Sequence, residues 1–464
     1  MAATSVDSRN AASSRPRVAL LYTHKSASTR EGEFLAAYLG LVLATTQAAE
    51  SVAVVAVKDR HAAEKKESAK AKEDEEEQEK EEKEHAALRV DGVVVQAKQL
   101  KQQQQQATDS ACRYVETGDV SVLKECHVWI LCVDADATTR TVQMLKHRGV
   151  TAPMERVTAK GKKVTSKRVI ISLQPALRRV QELEEAFPND TVLHGGACFH
   201  LARNQHGVLY PLSHGCFFIE RLNADKTHAL FAIDLLESAG VDVLSRKDVQ
   251  ALKWGHSALR LFYYVNALTG RSVLDDLRDR ACRLMFLELL HEVSTVLCTV
   301  ANTPTRDGRA ASRVTWALDL SAATYVSLSL LMALLPLPNW LFNGVVLRLA
   351  DVGLSASRTG VSTIARDVEH NRATAFDDEF DDVFTLAESR ALPVPTLTAL
   401  RETLRATHAA QNGTPRVAGH VLLHSLVPSS SRAPGRAVAR SFWLKVSLSV
   451  VAVVLLLTYL WLLR

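Results

Sequence analysis

Paired cysteines are missing from this chain. Its seven cysteines are scattered and odd in number, and none stands three residues from another. That spacing excludes zinc-ribbon sites and a disulfide framework, and a reducing compartment is the simplest setting. His194, Cys198 and His200 are loosely spaced, fall on alternate faces of an extended chain and lack a fourth ligand, so no metal is expected. Glycine is sparse, 20 residues in 464, and no Gly-x-Gly-x-x-Gly run follows the first apolar stretch. A secretory signal is absent, because the Ser/Arg/Ala-rich first sixteen residues hold no apolar core. No RNA- or DNA-binding pattern occurs, so nucleic acid is not an expected partner.

What is present is ample apolar material, 47% of the residues, with a net charge of +5. That supports two or three domains. Val18–Tyr22 and Val52–Val57 are short apolar runs, and Glu31–Ala49 between them has helical spacing. This predicts a β-α-β start and a parallel sheet. Lys58–His85 is dense in Lys and Glu and cannot bury a core, and Lys98–Gln106 is Gln-rich. Strands then recur at His127–Val133, Arg168–Leu173 and Thr191–His194, with helices at Ala137–Lys146 and Ala176–Ala186. Short strands continue through Ile219. Such alternation predicts a doubly wound α/β domain. From Asp248 the pattern is helical, over Trp254–Leu268, Ser272–Ala301, Leu318–Leu335 and Asp367–Arg390. The expected units are a disordered 1–16, a Rossmann-like domain over 17–245 with a low-complexity insertion at 58–106, and a helical domain over 246–410. A second apolar zone, 321–349, is broken by Pro336 and Pro338, which predicts buried or interface helices. The acidic cluster at Asp377, Asp378, Glu379, Asp381 and Asp382 reads as a solvated face.

Residues 411–445 read as a basic linker, with Arg432, Arg436, Arg440 and Lys445 and no acid among those four. Val446–Leu463 then forms an unbroken apolar run with no Asp, Glu, Lys or Arg. As a helix it is roughly 27 Å long, close to the hydrocarbon core of about 30 Å, and a helix satisfies its own backbone in lipid. The expectation is a tail anchor with the membrane as partner and the head in the cytosol, since the flanking cations obey the positive-inside rule. A short span with cationic flanks suits the mitochondrial outer membrane or the endoplasmic reticulum.

Lys253–Leu277 (KWGHSALRLFYYVNALTGRSVLDDL) is similar to the W-x-K-L-x-x-N-x-x-x-N-x-L-T segment of the ketopantoate reductase (2-dehydropantoate 2-reductase) family. Glu292-Val293 matches the Glu-Val of the following helix. Ser362–Phe380 resembles the S-M-L-Q-D…R-x-T-E-I-D stretch, and the Ala-Leu-Pro-Val-Pro-Thr run around Pro395 resembles the G-x-x-x-P ending. The resemblance spans about residues 17–410. It implies a Rossmann domain, a helical domain like the C-terminal part of 6-phosphogluconate dehydrogenase, NADPH as cofactor, and reduction of a 2-oxo acid. A homodimer is compatible with it, and any protein partner is unknown.

The resemblance also places the functional positions. The glycine positions of the dinucleotide loop fall on Tyr22, His24 and Ala27, with Lys25 among them. Bulky side chains there crowd a pyrophosphate. Lys58 or Arg60 after the second strand is placed to meet a 2′-phosphate. Asp134 stands where the family has Lys, and Pro175-Ala176 where it has Asn-Gly. Aligned on Asn266, the family's acid–base Lys becomes Ala258; aligned on Trp254, it becomes His256. The family Glu falls on Ala375. His256 is the replacement proton donor in that segment, and Asn266 and Thr363 remain to bind a hydroxyl. The reading is a membrane-held module with a degenerate NADPH and catalytic site; the alternative is an active NAD(P)H-dependent oxidoreductase with an altered site.

Overall fold

The computed structural model describes residues 16–24, 31–46, 48–58, 87–90, 93–96, 112–133, 137–152, 154–157, 163–174, 178–197, 201–203, 208–211, 216–220, 226–246, 249–301, 317–321, 324–347, 362–428, 441 and 443–444. The apolar runs of the first half become the strands of one sheet. They are β1 (Arg17–His24), β2 (Ser51–Lys58), β5 (Arg113–Thr117), β6 (Val128–Leu131), β9 (Val169–Ser172), β10 (Thr191–Ala197), β13 (Phe217–Glu220) and β14 (Val243–Arg246). Their order is β5-β2-β1-β6-β9-β10-β13-β14. The first six strands are mutually parallel, and β13 joins β10 antiparallel. Counted in chain order, those six read 3-2-1-4-5-6, the arrangement whose ligand crevice opens where the winding reverses, between β1 and β6.

Helices cover both faces because parallel strands are apolar on both sides. One core packs α1 (Glu31–Thr45) and α4 (Lys226–Ser238) on the sheet. The other packs α2 (Thr138–His147) and α3 (Arg178–Ala186). α1 lies tight on the sheet at Gly40, where a Cβ would sit 2.7 Å from Val54 Cγ2. Tyr22 is buried in this core. β1 keeps its register with β2 through Tyr22↔Ala56, Thr23↔Val57 and His24↔Lys58. Tyr22 and His24 are therefore strand residues, and β1 runs two residues past its expected end at Tyr22.

The low-complexity insertion is not featureless. It supplies β3 (Ala87–Val90) and β4 (Val93–Gln96). With β11 (Leu201–Arg203) and β12 (Val208–Pro211) they make a second sheet, ordered β11-β12-β3-β4. A hairpin of β7 (Met154–Val157) and β8 (Lys163–Ser166) is separate.

The helical part begins at α5 (Val249–Thr269) and continues with α6 (Val273–Arg278) and α7 (Arg280–Ala301). The single helix expected over Ser272–Ala301 is split at Asp279, whose backbone is extended and whose carboxylate accepts from Ala281 N at 2.9 Å. The helix expected over Leu318–Leu335 is instead a hairpin, β15 (Ala317–Ser321) and β16 (Thr324–Ser327), followed by the short α8 (Leu328–Leu334). α9 (Asn339–Leu341) runs into a π-helical stretch, Phe342–Val346. The helix expected over Asp367–Arg390 breaks at Asn371, which is left-handed (φ 57°). It becomes α10 (Thr363–Glu369) and α11 (Phe376–Ser389). α12 (Pro395–Ala410) starts on a proline, as a first helical turn tolerates. The expected linker is partly folded: α13 (Gly419–Leu426) packs Leu422, Leu423 and Leu426 into the helical core. Among the described residues no helix is long and apolar enough to cross a membrane, and Val446–Leu463 lies outside them.

Candidate functional site

At the carboxyl edge of the sheet, α5 packs against β10 and β13. It brings Lys253 to the end of β9, where Nζ donates to the carbonyl oxygen of Gln174 at 2.8 Å. Lys253 is 2% exposed. Burial pushes its ammonium down to about 7, and Glu220, at the end of β13, opposes part of that shift. The Gln174 amide donates to Thr138 Oγ1 in α2. Two polar atoms at this edge are buried and lack a hydrogen-bond partner: Ser172 Oγ and Gln174 Oε1. Glu220 is also tied to β10, accepting from His194 N at 3.4 Å and lying 3.6 Å from His194 Nε2. His194 Nε2 also lies 3.2 Å from Glu184. Among the described residues no group of His, Cys, Asp and Glu could hold a metal ion. A lysine held near neutrality in a cleft can give or take a proton at physiological pH.

Further along α5 the same face carries Ser257, Arg260 and Tyr264, at helical intervals of three and four residues. All are buried. Arg260 Nε lies 2.8 Å from Glu379 Oε1, and the Tyr264 hydroxyl donates to Glu379 Oε2 at 2.8 Å. Glu379 is 3% exposed. The acidic cluster is therefore not a wholly solvated face. Phe376 and Phe380 turn inward on α11, and Glu379 and Asp382 turn with them. Asp377 does face outward, paired with Arg405.

The opposite face of α5 carries two of the positions assigned by resemblance, Ala258 and Asn266, with the core residue Phe262 between them. Ala258, Phe262 and Asn266 stand roughly 140–220° around the helix from Lys253. Ala258 and Phe262 belong to the apolar core of the helical part, and Phe262 stacks on Phe286 with ring centroids 5.2 Å apart. Asn266 is fully buried, and its amide is already engaged. It donates to Asp276 Oδ2 at 2.7 Å and Arg271 O at 2.8 Å, and accepts from Ser362 N at 3.3 Å. Asn266 thus stitches α5, α6 and α10 together, with both amide N–H donors spent and its Oδ1 already accepting. Burial holds the Asp276 carboxyl above its ordinary value, against the hydrogen bonds from Thr269 and Asn266.

The other expected site residues are distributed as follows. His256 is half-buried on α5, one turn after Lys253. Thr363 opens α10, directly after the cap Ser362. Lys58 ends β2 opposite His24. Ala375 precedes α11 and provides no side-chain cap. Lys25, Ala27, Arg60, Asp134 and Pro175-Ala176 lie outside the described residues. Lys253 was missed because the motif was registered only on Asn266 and on Trp254, although a Lys-Trp pair opening a buried helix is visible in the sequence.

At the described flanks of the first loop, β1 continues as paired strand through His24, Tyr22 is buried in the core, and α1 begins at Glu31.

No protein-family model and no curated protein sequence matches this chain. Solved structures do. One is a PanE/ApbA family ketopantoate reductase from Ralstonia eutropha JMP134, with TM-score 0.52 and 15% identity, covering 85% of this chain and 99% of that one. Another is a D-mandelate dehydrogenase in a ternary structure with NADH and anilino(oxo)acetate, with TM-score 0.52 and 13% identity, covering 86% of this chain and 100% of that one. At these identities the likeness establishes the fold: this chain has the ketopantoate reductase fold, a Rossmann-like sheet followed by a helical domain.

Proposed function

We propose that this protein is a divergent relative of the ketopantoate reductases, held in a membrane by Val446–Leu463 with its head in the cytosol. Its head serves as a binding or scaffold module rather than as the family's reductase. The observation that carries this reading is the face of α5 bearing Ala258, Phe262 and Asn266. Two of these residues are core packing and the third is consumed by internal hydrogen bonds. Ala375 stands at the acidic position of the following motif, and Tyr22, His24 and Ala27 stand at the glycine positions of the dinucleotide loop. The membrane is the mitochondrial outer membrane or the endoplasmic reticulum. The test is titration of the purified full chain with NADPH, followed by assay against ketopantoate and other 2-oxo acids. Absence of micromolar binding and of turnover is expected. Micromolar binding with steady turnover overturns the reading.

A second reading, an NAD(P)H-dependent 2-oxo acid oxidoreductase with a relocated site, is favoured by Lys253. Its amine sits at the carboxyl edge of the sheet, beside the unpartnered Ser172 Oγ and Gln174 Oε1. There it could donate the proton that a carbonyl oxygen takes up on reduction. Lys253→Met and His256→Ala separate the two candidate acids. Under this reading Lys253→Met lowers turnover by roughly 10²–10⁴, while His256→Ala leaves it within a few-fold.

A further inference from the structure

The corner that follows α8 is built to a fixed shape and turns apolar side chains outward. Arg283, fully buried on α7, holds it from beneath. Its guanidinium donates to Leu335 O at 3.0 Å, Leu337 O at 2.8 Å and Asn339 Oδ1 at 3.0 Å, and lies 4.1 Å over the Phe342 ring. Arg280 adds a bond to Pro336 O at 3.2 Å. Two prolines and four carbonyl or amide contacts leave this loop little freedom. Yet Trp340 at its tip is 75% exposed, and Leu330 on α8 is 37% exposed.

The short segment before the C-terminal apolar run docks at the same place. Trp443 Nε1 donates to Ala333 O in α8 at 2.9 Å, and Leu444 is 62% exposed. Ala333 and Leu330 are three residues apart on one helix, hence on one face. Lys445 and the eighteen-residue apolar run Val446–Leu463 follow directly in the chain. Of the exposed large apolar residues, Val115, Leu230, Phe231 and Val421 lie on other elements, while Leu330, Trp340, Trp443 and Leu444 belong to this corner and to the segment leading to the apolar run. Exposed Arg280 stands at their edge, and Arg432, Arg436 and Arg440 precede the stem in sequence. Indole rings settle at the headgroup level of a bilayer, half in apolar surroundings and half in water. Cations beside them are drawn to lipid phosphates.

We propose that the corner Leu328–Val346 is a lipid-contact surface. Trp340 and Leu330 rest in the headgroup layer of the bilayer that receives the tail, so that the head stands in one orientation instead of swinging on a free linker. This rests on the tail-anchor reading above.

The test uses the full chain reconstituted into phosphatidylcholine vesicles containing a minority of phosphatidylinositol. Trp340→Phe and Leu330→Ser are made in parallel. Tryptophan emission is recorded with and without lipids carrying a shallow spin-label quencher. The component lost in Trp340→Phe is expected to be quenched at least two-fold by the shallow label and to shift to shorter wavelength than in the exposed state. Leu330→Ser is expected to weaken that quenching. Each sample is also extracted with alkaline carbonate. Resistance to carbonate together with an unquenched, water-like Trp340 overturns the lipid-contact surface and leaves the anchor standing. Loss of quenching only when the chain self-associates assigns the surface to a second copy and also overturns it. Release by carbonate overturns the anchor reading itself.

Discussion

The two ends of strand β9 bury the same charge in opposite ways. At the amino end, Arg168 is held by Asp190 through a bidentate pair, with NH2–Oδ2 at 2.7 Å and Nε–Oδ1 at 3.1 Å. Its remaining donors reach Val150 O at 2.6 Å and Thr151 O at 3.3 Å. The guanidinium also stacks 4.5 Å from the Trp129 ring. At the carboxyl end, among the described residues, Lys253 meets only a neutral carbonyl at hydrogen-bond distance, and Ser172 Oγ and Gln174 Oε1 have no partner. A fully matched buried charge is a fastening. An unmatched one is tolerated only where it can lose its proton or meet a ligand. The sheet therefore carries a matched buried cation at one edge and an unmatched one at the other, the edge where ligands bind in open α/β sheets.

The comparison breaks most visibly at the matched end. Asp190→Ala strands a guanidinium that is 1% exposed beside an empty partner position. Removing one member of a buried pair costs about 3–5 kcal/mol. The denaturant midpoint of the head should fall accordingly, and Arg168→Met combined with Asp190→Ala should recover part of the loss.

At the unmatched end the effect depends on pH. The Lys253 amine is lowered in the folded state to about 7 from 10.5. Between those values the unfolded chain binds more protons, so folding stability from this group rises with pH. Below about pH 7 the burial penalty is fully present. Lys253→Met removes this dependence. Relative to the unaltered chain it should gain stability as pH falls from 10 towards 7, with a slope approaching roughly 1.4 kcal/mol per pH unit. A pH-independent difference in denaturant midpoint would mean that Lys253 keeps its ordinary affinity for protons.

Much of the sheet was legible in the sequence, because strands buried on both faces appear as plain apolar runs. VALLY, VAVVAV and RVIISL could be assigned without any alternation. The second sheet was not legible. Its strands β3 and β4 are four residues each and sit inside an insertion whose composition otherwise signals disorder. Leu318–Leu335 failed for a different reason: a short apolar stretch does not distinguish a helix from a strand by periodicity. At the site, Glu379 was hidden among acidic neighbours, although its three-residue spacing from Phe376 places it on the inward face of α11. Lys253 was hidden by the choice of register. Asn266 was singled out in the sequence, but only the structure reveals that its amide is bonded internally to Arg271, Asp276 and Ser362.

A smaller effect sharpens the comparison at a helix end. Glu292 in α7 accepts from Thr396 N at 2.8 Å and Leu397 N at 2.9 Å, satisfying two donors of the first turn of α12. Burial nonetheless holds its carboxyl above the ordinary value. The carboxylate is matched by dipoles rather than by a cation. Glu292→Gln keeps one acceptor and the shape, and should cost about 1–2 kcal/mol. It should also flatten the fall in stability that a raised carboxyl produces as pH rises through its titration.

The smallest expected effect is the most discriminating. Arg405 and Asp377 form a pair with the same bidentate geometry as Arg168 and Asp190, with Nε–Oδ2 at 2.9 Å and NH2–Oδ1 at 2.8 Å. Burial differs sharply: these side chains are 59% and 46% exposed. Water screens their attraction, and holding two long side chains in one geometry costs entropy. Asp377→Asn should therefore leave the denaturant midpoint unchanged within error, at low salt and at high. If it instead lowers the midpoint as much as Asp190→Ala does, geometry rather than desolvation decides what a charge pair contributes in this fold. The contrast drawn between the two ends of β9 would then lose its basis, and Lys253 with its lone carbonyl would no longer stand apart from the other cations of the chain.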